Sequence, residues 1–292
     1  MKLTSRLIVS TALLSASMGH AQTLGSAANY DILLLGNGSM ELKDANQLFG
    51  DVGLSSGSEL DGKGESTIFD GTIFKHNGAT ITNGGGLAPS NGIQSSGAIN
   101  GALNTANADV TNYINYLEGL TADATYGPQT STFSFATTKA QTVLDFTEID
   151  LDGESFSLTG RAGGTDQIII RTSDFLEFKE SDLNLTNFDI DNVIWYHSGS
   201  DNFDLHKSDS DPANFMKFAG TVIAPNAETR IGEVSFNGRL IGGELKLGSG
   251  FEFEGPPNPP NPPNPPVIPE PSSSLMLILG AAGFLLRRRR ES

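Results

Sequence analysis

The sequence predicts a mainly β domain, a right-handed parallel β-solenoid by preference, with one long α-helix packed alongside and a targeting segment at either end. Three observations carry this. Short β-branched or aromatic runs alternate with Gly, Asn, Ser and Asp clusters, the pattern of many short strands joined by tight turns. A glycine stands shortly before an aliphatic residue in Gly50-Asp-Val, Gly71-Thr-Ile, Gly220-Thr-Val and Gly238-Arg-Leu. The first pair and the last pair are each separated by roughly one coil of a three-sided solenoid, with glycine at the corner and the aliphatic residue in the stacked interior. A β-sandwich with Gly-rich turns would show the same spacing. One segment, finally, leaves the strand period for the helical one.

Taken in order, the chain opens on Lys2 and Arg6 before the apolar stretch LIVSTALLSAS, then Gly19-His20-Ala21, with small residues at the positions a signal peptidase reads. This is the layout of a secretory signal, residues 1–21, cut between Ala21 and Gln22. The candidate strands follow, among them DILLLG from Asp31, STIFDGTIF from Ser66, DQIIIRT from Asp166, NVIWYHSG from Asn192, AGTVIAP from Ala219, NGRLIGG from Asn237 and GELKLG from Gly243. Between Ser96 and Leu120 the apolar residues Ile99, Leu103, Ala106, Val110, Tyr113, Ile114 and Leu117 recur at helical spacing, and Gly119 is placed as a stop. Asn100, Asn104, Asn107 and Asn115 weaken the intrinsic helix propensity of this segment, so it should depend on packing along the β core.

The β domain is expected over residues 22–255, followed by a Pro/Asn-rich linker at 256–267. That linker cannot donate enough backbone hydrogen bonds for helix or sheet, and as polyproline II it would form a stalk of about 35 Å. The last segment, 268–292, carries Pro269, Glu270 and Pro271, an apolar run from Leu275 to Leu286, and Arg287, Arg288, Arg289 and Arg290. The run is short against the ~20 apolar residues of a comfortable span. The arginines are those of an end held beside anionic lipid on the cytoplasmic side.

This tail resembles the PEP-CTERM sorting signal, matching its Pro-Glu-Pro motif, short hydrophobic helix and Arg cluster in order. The resemblance implies export by a Gram-negative bacterium with a signal peptidase and an exosortase-type transpeptidase as processing partners. It also implies transient anchoring in the inner membrane, then delivery to the surface or extracellular matrix, where exopolysaccharide is a further partner. The opening NYDILLLGNGSMELKDANQLFGDVGL and the closing FAGTVIAPNAETRIGEVSFNGRLIGGELKLGSGFEFE resemble the two ends of the choice-of-anchor A domain; Gly85 to Asp191 follows it in its order of helix, then strands. That resemblance implies a β-helix-like fold with a helix packed alongside, similar to bacterial ice-binding adhesins, and supplies no known catalytic residues; the reading of the whole chain is a role in adhesion or matrix structure. The alternative to that reading is a glycan- or ice-binding module.

Composition narrows partners without naming one. Of 18 basic residues, Lys2, Arg6 and the four tail arginines belong to the end segments, leaving 12; of 34 acidic residues, Glu270 and Glu291 do, leaving 32. A domain near −20 repels nucleic acid and anionic lipid at long range. The chain has no cysteine, so burial and backbone pairing alone must hold it. His76, His197 and His206 stand in no catalytic or metal-binding spacing and read as surface or turn histidines; the chain reads as a non-enzyme without a cofactor. Two acidic stretches, Asp150, Asp152 and Glu154, and Asp201, Asp204, Asp209 and Asp211, carry the oxygen ligands a structural calcium would take, although neither completes an EF-hand loop. Trp195 reads as core, and Thr80-Ile-Thr82 as an isolated Thr-x-Thr unit with no ladder around it.

Overall fold

The computed structural model describes residues 23–43, 46–63, 68–82, 87–209 and 211–255. The signal segment, the Pro/Asn linker and the sorting segment lie outside them. Every strand pairing among the described residues is parallel, and the strands stack in three faces, as a solenoid requires and a sandwich does not.

The first face, the helix face, begins at Ala124–Tyr126 and runs through Gln141–Phe146, Gln167–Thr172 and Val193–His197. It continues through the middle of Met216–Gly232 and of Val234–Leu247, the start of Ile32–Leu42, Val52–Leu54, Ile73–Lys75 and Ile93–Gln94. The second, the open face, stacks Ile149–Asp152, Leu176–Lys179, Phe203–His206, the ends of the two long strands and of Ile32–Leu42, Glu59–Gly62 and Thr80–Thr82. The third is split. Phe133–Ala136, Ser155–Thr159 and Asp182–Thr186 form a separate three-stranded sheet, beyond which come the starts of the two long strands, Glu252–Glu254, Gln47–Phe49 and Ile68–Asp70.

Chain order and stacking order differ. The first coils run downward from the middle of the stack to Ile93–Gln94. The helix Gly97–Gly119 then climbs the helix face, and the remaining coils descend from Ala124–Tyr126 until Glu252–Glu254 pairs with Gln47–Phe49. Ten strands at the usual inter-strand spacing span about 43 Å. A 23-residue helix is about 34 Å long, so with its flanking residues it is just long enough for this return.

The glycine repeat does what its spacing predicts. Gly220 and Gly238 are in register, at φ 119° and 142°, at the corner between split and helix faces. A Cβ on Gly238 would sit 2.0 Å from the Gly220 carbonyl oxygen, so no side chain fits. Next to the corner, Val222, Leu240, Ile32, Val52 and Ile73 stack in register in the interior. Alongside them an aromatic column, Phe133, Phe156, Phe178, Phe218, Phe236 and Phe253, runs through the core with successive ring centroids 4.8–5.7 Å apart. Trp195 is fully buried against it and donates its indole N–H to the Ala219 carbonyl at 3.0 Å. With no disulfide available, burying such rings at about 1.5–3 kcal/mol each is the main source of stability.

The helix follows its predicted stripe. Ser96 caps it, its Oγ accepting from the Ile99 N–H at 3.2 Å, and Leu103, Ala106, Val110, Tyr113 and Leu117 are buried. They pack on Leu33, Val143, Ile169, Ile194, Tyr196, Ile223 and Ile241, the outward residues of the helix face. Under the helix that face is apolar on both sides and covered, while Ile93 at its lower end stays exposed. At the helix end, Arg171 donates to the carbonyls of Leu117 and Leu120 at 2.5 and 2.9 Å while holding Asp145 in a two-pronged pair. The sheet below thus supplies the cation a helix C-terminus favours.

His197 corrects a sequence expectation, being neither a surface nor a turn histidine. It ends strand Val193–His197, fully buried, between the Thr172 hydroxyl at 2.7 Å and the Asp201 carbonyl at 2.8 Å. Burial pushes its imidazole below the ordinary range.

Candidate binding faces

With the helix lying over most of the first face, the other two offer the longer uncovered surfaces. On the upper split face two rows of small side chains stand in register: Ser134, Ser157 and Asn184, all polar, and Ala136, Thr159 and Thr186, of which the two threonines are polar. Strand geometry sets them about 4.8 Å apart along a row and about 6.7 Å between rows. The patch is three strands deep, with Asp182 at its edge.

The open face is longer and charged. One row reads Thr82, Asp61, Glu41, Lys246, Arg230, Asp204, Glu177 and Asp150 from one end to the other. Lys63 bridges Glu41 and Asp61 at 3.1 and 3.3 Å, and Lys246 holds Glu228 at 2.6 Å. Arg230 also pairs with Glu228. Desolvation raises the carboxyls of Asp204 and Glu177 above the usual range, with neighbouring carboxylates adding to it. Thr80 and Thr82 lie in register with Glu59 and Asp61, so their Thr-x-Thr unit meets charge on the very next coil.

The residues expected for calcium divide. Asp150 and Asp204, far apart in the chain, share that row through Glu177, a residue that sequence reasoning missed. The others turn elsewhere. Asp152 pairs with Lys179 at 2.5 Å, Glu154 accepts from the Thr132 N–H, and Asp201 lies beside Asp174. Asp209 and Asp211 accept from backbone N–H groups of their own turn. Among the described residues no three carboxylates or histidines form a metal cage. The signal for the row was the equal spacing of Asp150, Glu177 and Asp204, one upper coil from each to the next; the glycine repeat is shorter and belongs only to the lower coils.

Comparison with known proteins matches residues 12–254 to the family described as "Putative Ice-binding-like adhesive domain". The chain belongs to this family. The name is related in kind to the choice-of-anchor A expectation, although the match is not to that domain by name. Residues 267–290 match the PEP-CTERM protein-sorting motif, which marks the adhesive domain as cargo of an exosortase-type enzyme, exported toward the cell surface. Among solved structures, the adhesive domain is similar to an ice-binding protein from the Antarctic ascomycete Antarctomyces psychrotrophicus: 18% identity, TM-score 0.54, covering 82% of this chain and 100% of that one. It is similar to one from an Antarctic Flavobacteriaceae bacterium, at 20% identity and TM-score 0.57, over 80% of this chain and 47% of that one. A third likeness is to LeIBP from an Arctic yeast, at 16% and 0.54, over 82% and 96%. At such identities the likeness is one of fold. No curated protein matches the chain.

Proposed function

We propose that the chain is a non-catalytic adhesive domain, processed by an exosortase-type system and held at the cell envelope or in the matrix with its open face toward a ligand. Residues 1–21 act as the export signal, 22–255 as the adhesive domain, 256–267 as the stalk, and 268–292 as the sorting segment. Pro269, Glu270, Pro271 and the four arginines carry the sorting. The observation that carries the reading is where the domain hands over to its stalk. Gly255 follows strand Glu252–Glu254 and, in register with Gly50, sits at the corner between split and helix faces. In a three-sided coil that corner is opposite the open face. A tether there turns the open face, long and uncovered, away from the anchor.

The test is to delete everything after Pro266 and follow localisation and cohesion of the bacterial film. The expected outcome is release of the domain into the medium and weaker cohesion. Unchanged surface retention would overturn the sorting role, and unchanged cohesion after release the adhesive one. A second reading, ice binding, is favoured by the Ser/Thr rows of the upper split face. The charged open face weighs against it, since carboxylates and ammonium groups hold water in their own geometry. Absence of thermal hysteresis from the purified chain would remove it.

A further inference from the structure

The open face carries a depression. Gly232 and Gly248 lie side by side on adjacent coils, where the Gly248 N–H donates to the Ile231 carbonyl at 2.6 Å. Their missing side chains leave a hollow of about 470 Å³ rimmed by Lys43, Asp204, His206, Glu228, Arg230 and Lys246. The backbone does not demand glycine at 232. Its φ is not positive, and a Cβ there would meet nothing nearer than 3.9 Å. Glycine at 232 opens the surface without turning the chain.

The rim is mixed in charge and incompletely satisfied. Lys246 is held by Glu228, but the Arg230 Nη1 to Asp204 Oδ2 distance of 3.9 Å is too long for a hydrogen bond. Lys43 has no carboxylate partner among the described residues. The Asp204 Oδ1 is buried and accepts from nothing. That oxygen is closed to a ligand; the other, Oδ2, faces Arg230 across the hollow without a hydrogen bond and is the acceptor a ligand hydroxyl would meet. An acceptor group carrying negative charge would satisfy Arg230 and Lys43. Hydroxyls beside a carboxylate on one small ring is the chemistry of a uronic acid. The domain's overall acidity opposes this only at range, because salt screens charges beyond about 8 Å in physiological conditions.

Building on the adhesive reading, we infer that this hollow binds a uronate residue of an extended acidic polysaccharide, with a sugar hydroxyl donating to Asp204 and the sugar carboxylate accepting from Arg230 and Lys43. The test titrates the full chain, in detergent, with polygalacturonate, free galacturonate and a neutral dextran. Polygalacturonate should bind and dextran should not; free galacturonate should bind more weakly, with the same sensitivity to substitution. Gly232→Gln, which fills the hollow, and Lys43→Gln should each weaken binding by roughly tenfold, the scale of one charge-assisted hydrogen bond, with unchanged melting. The arginine tail is common to all variants, so its own affinity for polyanions cancels. Equal binding by Gly232→Gln, or equal binding of dextran, would overturn the assignment. Cells displaying each variant are scored for adhesion in parallel. Adhesion without polygalacturonate binding by the parent chain would end this site and leave the adhesive reading standing; loss of both would end both.

Discussion

A buried histidine and a row of corner glycines show how single residues hold this fold. Because burial depresses the His197 imidazole, the folded state takes its proton only at lower pH than the unfolded chain, whose value lies near ~6.5. Its contribution is therefore present above that value and is lost as pH falls from it toward the depressed folded one. Melts at pH 7.5 and 5.5 should show His197→Gln to be less stable than the parent at the higher pH and the gap to narrow at the lower; a constant gap would remove the linkage. Desolvated Asp204 and Glu177 act in the opposite sense, gaining protons and stability on folding as pH falls, so the comparison between variants isolates the histidine. Two glycine substitutions should have opposite signs. Gly238→Ala drives a Cβ onto the Gly220 carbonyl at a positive φ and should cost several kcal/mol or prevent folding, on the order of the strain and overpacking such a change imposes. Gly101→Ala, on the exposed side of the helix with nothing within 4 Å, should stabilise by about 1 kcal/mol in urea unfolding. The corner glycines were legible in the sequence because their constraint is local and recurs. His197 was not, because nothing in its neighbours distinguishes a strand end that folds inward from a turn.

At the scale of elements, the helix is where local and tertiary information meet. Its stripe and both ends were readable, since period and capping are written within the segment itself. Its C-terminal partner was not: Arg171 lies far along the chain and joins Leu117, Leu120 and Asp145 only once the upper coils stack. Arg171→Gln should cost about 2–3 kcal/mol, because it leaves the Asp145 carboxylate and two helix carbonyls without their donor. Hydrogen exchange should then show the last helical turn opening first, and protection there equal to the parent's would refute the coupling. The strands divide the same way. Short apolar runs announced the long strands Ile32–Leu42, Met216–Gly232 and Val234–Leu247 and a few of the short ones, with NGRLIGG and GELKLG joining in a single strand, whereas the separate sheet of Phe133–Ala136, Ser155–Thr159 and Asp182–Thr186 emerges only from register.

For the molecule as a whole, the helix allows chain order to part from stacking order. By returning the chain from the lowest coil to the highest, it leaves the exit at Gly255 in the waist of the solenoid, at the corner opposite the open face. Calcium belongs to this scale, since a cage shared between coils would tie the stack together. The dispersed partners of Asp152, Glu154, Asp209 and Asp211 lead to an unchanged melting temperature with calcium or chelator, and a rise of several degrees with calcium would restore the site. By itself the sequence determined export toward the cell surface, from a sorting motif at 267–290 read without folding, and the repetitive β class, the helix and the glycine corners, each encoded within a short stretch of chain. Only the tertiary structure decided which coils are neighbours. Because a side chain's face alternates along each strand while its companions come from other coils, distant in the chain, the charged row, the polar ladder and the hollow at Gly232 exist only in register.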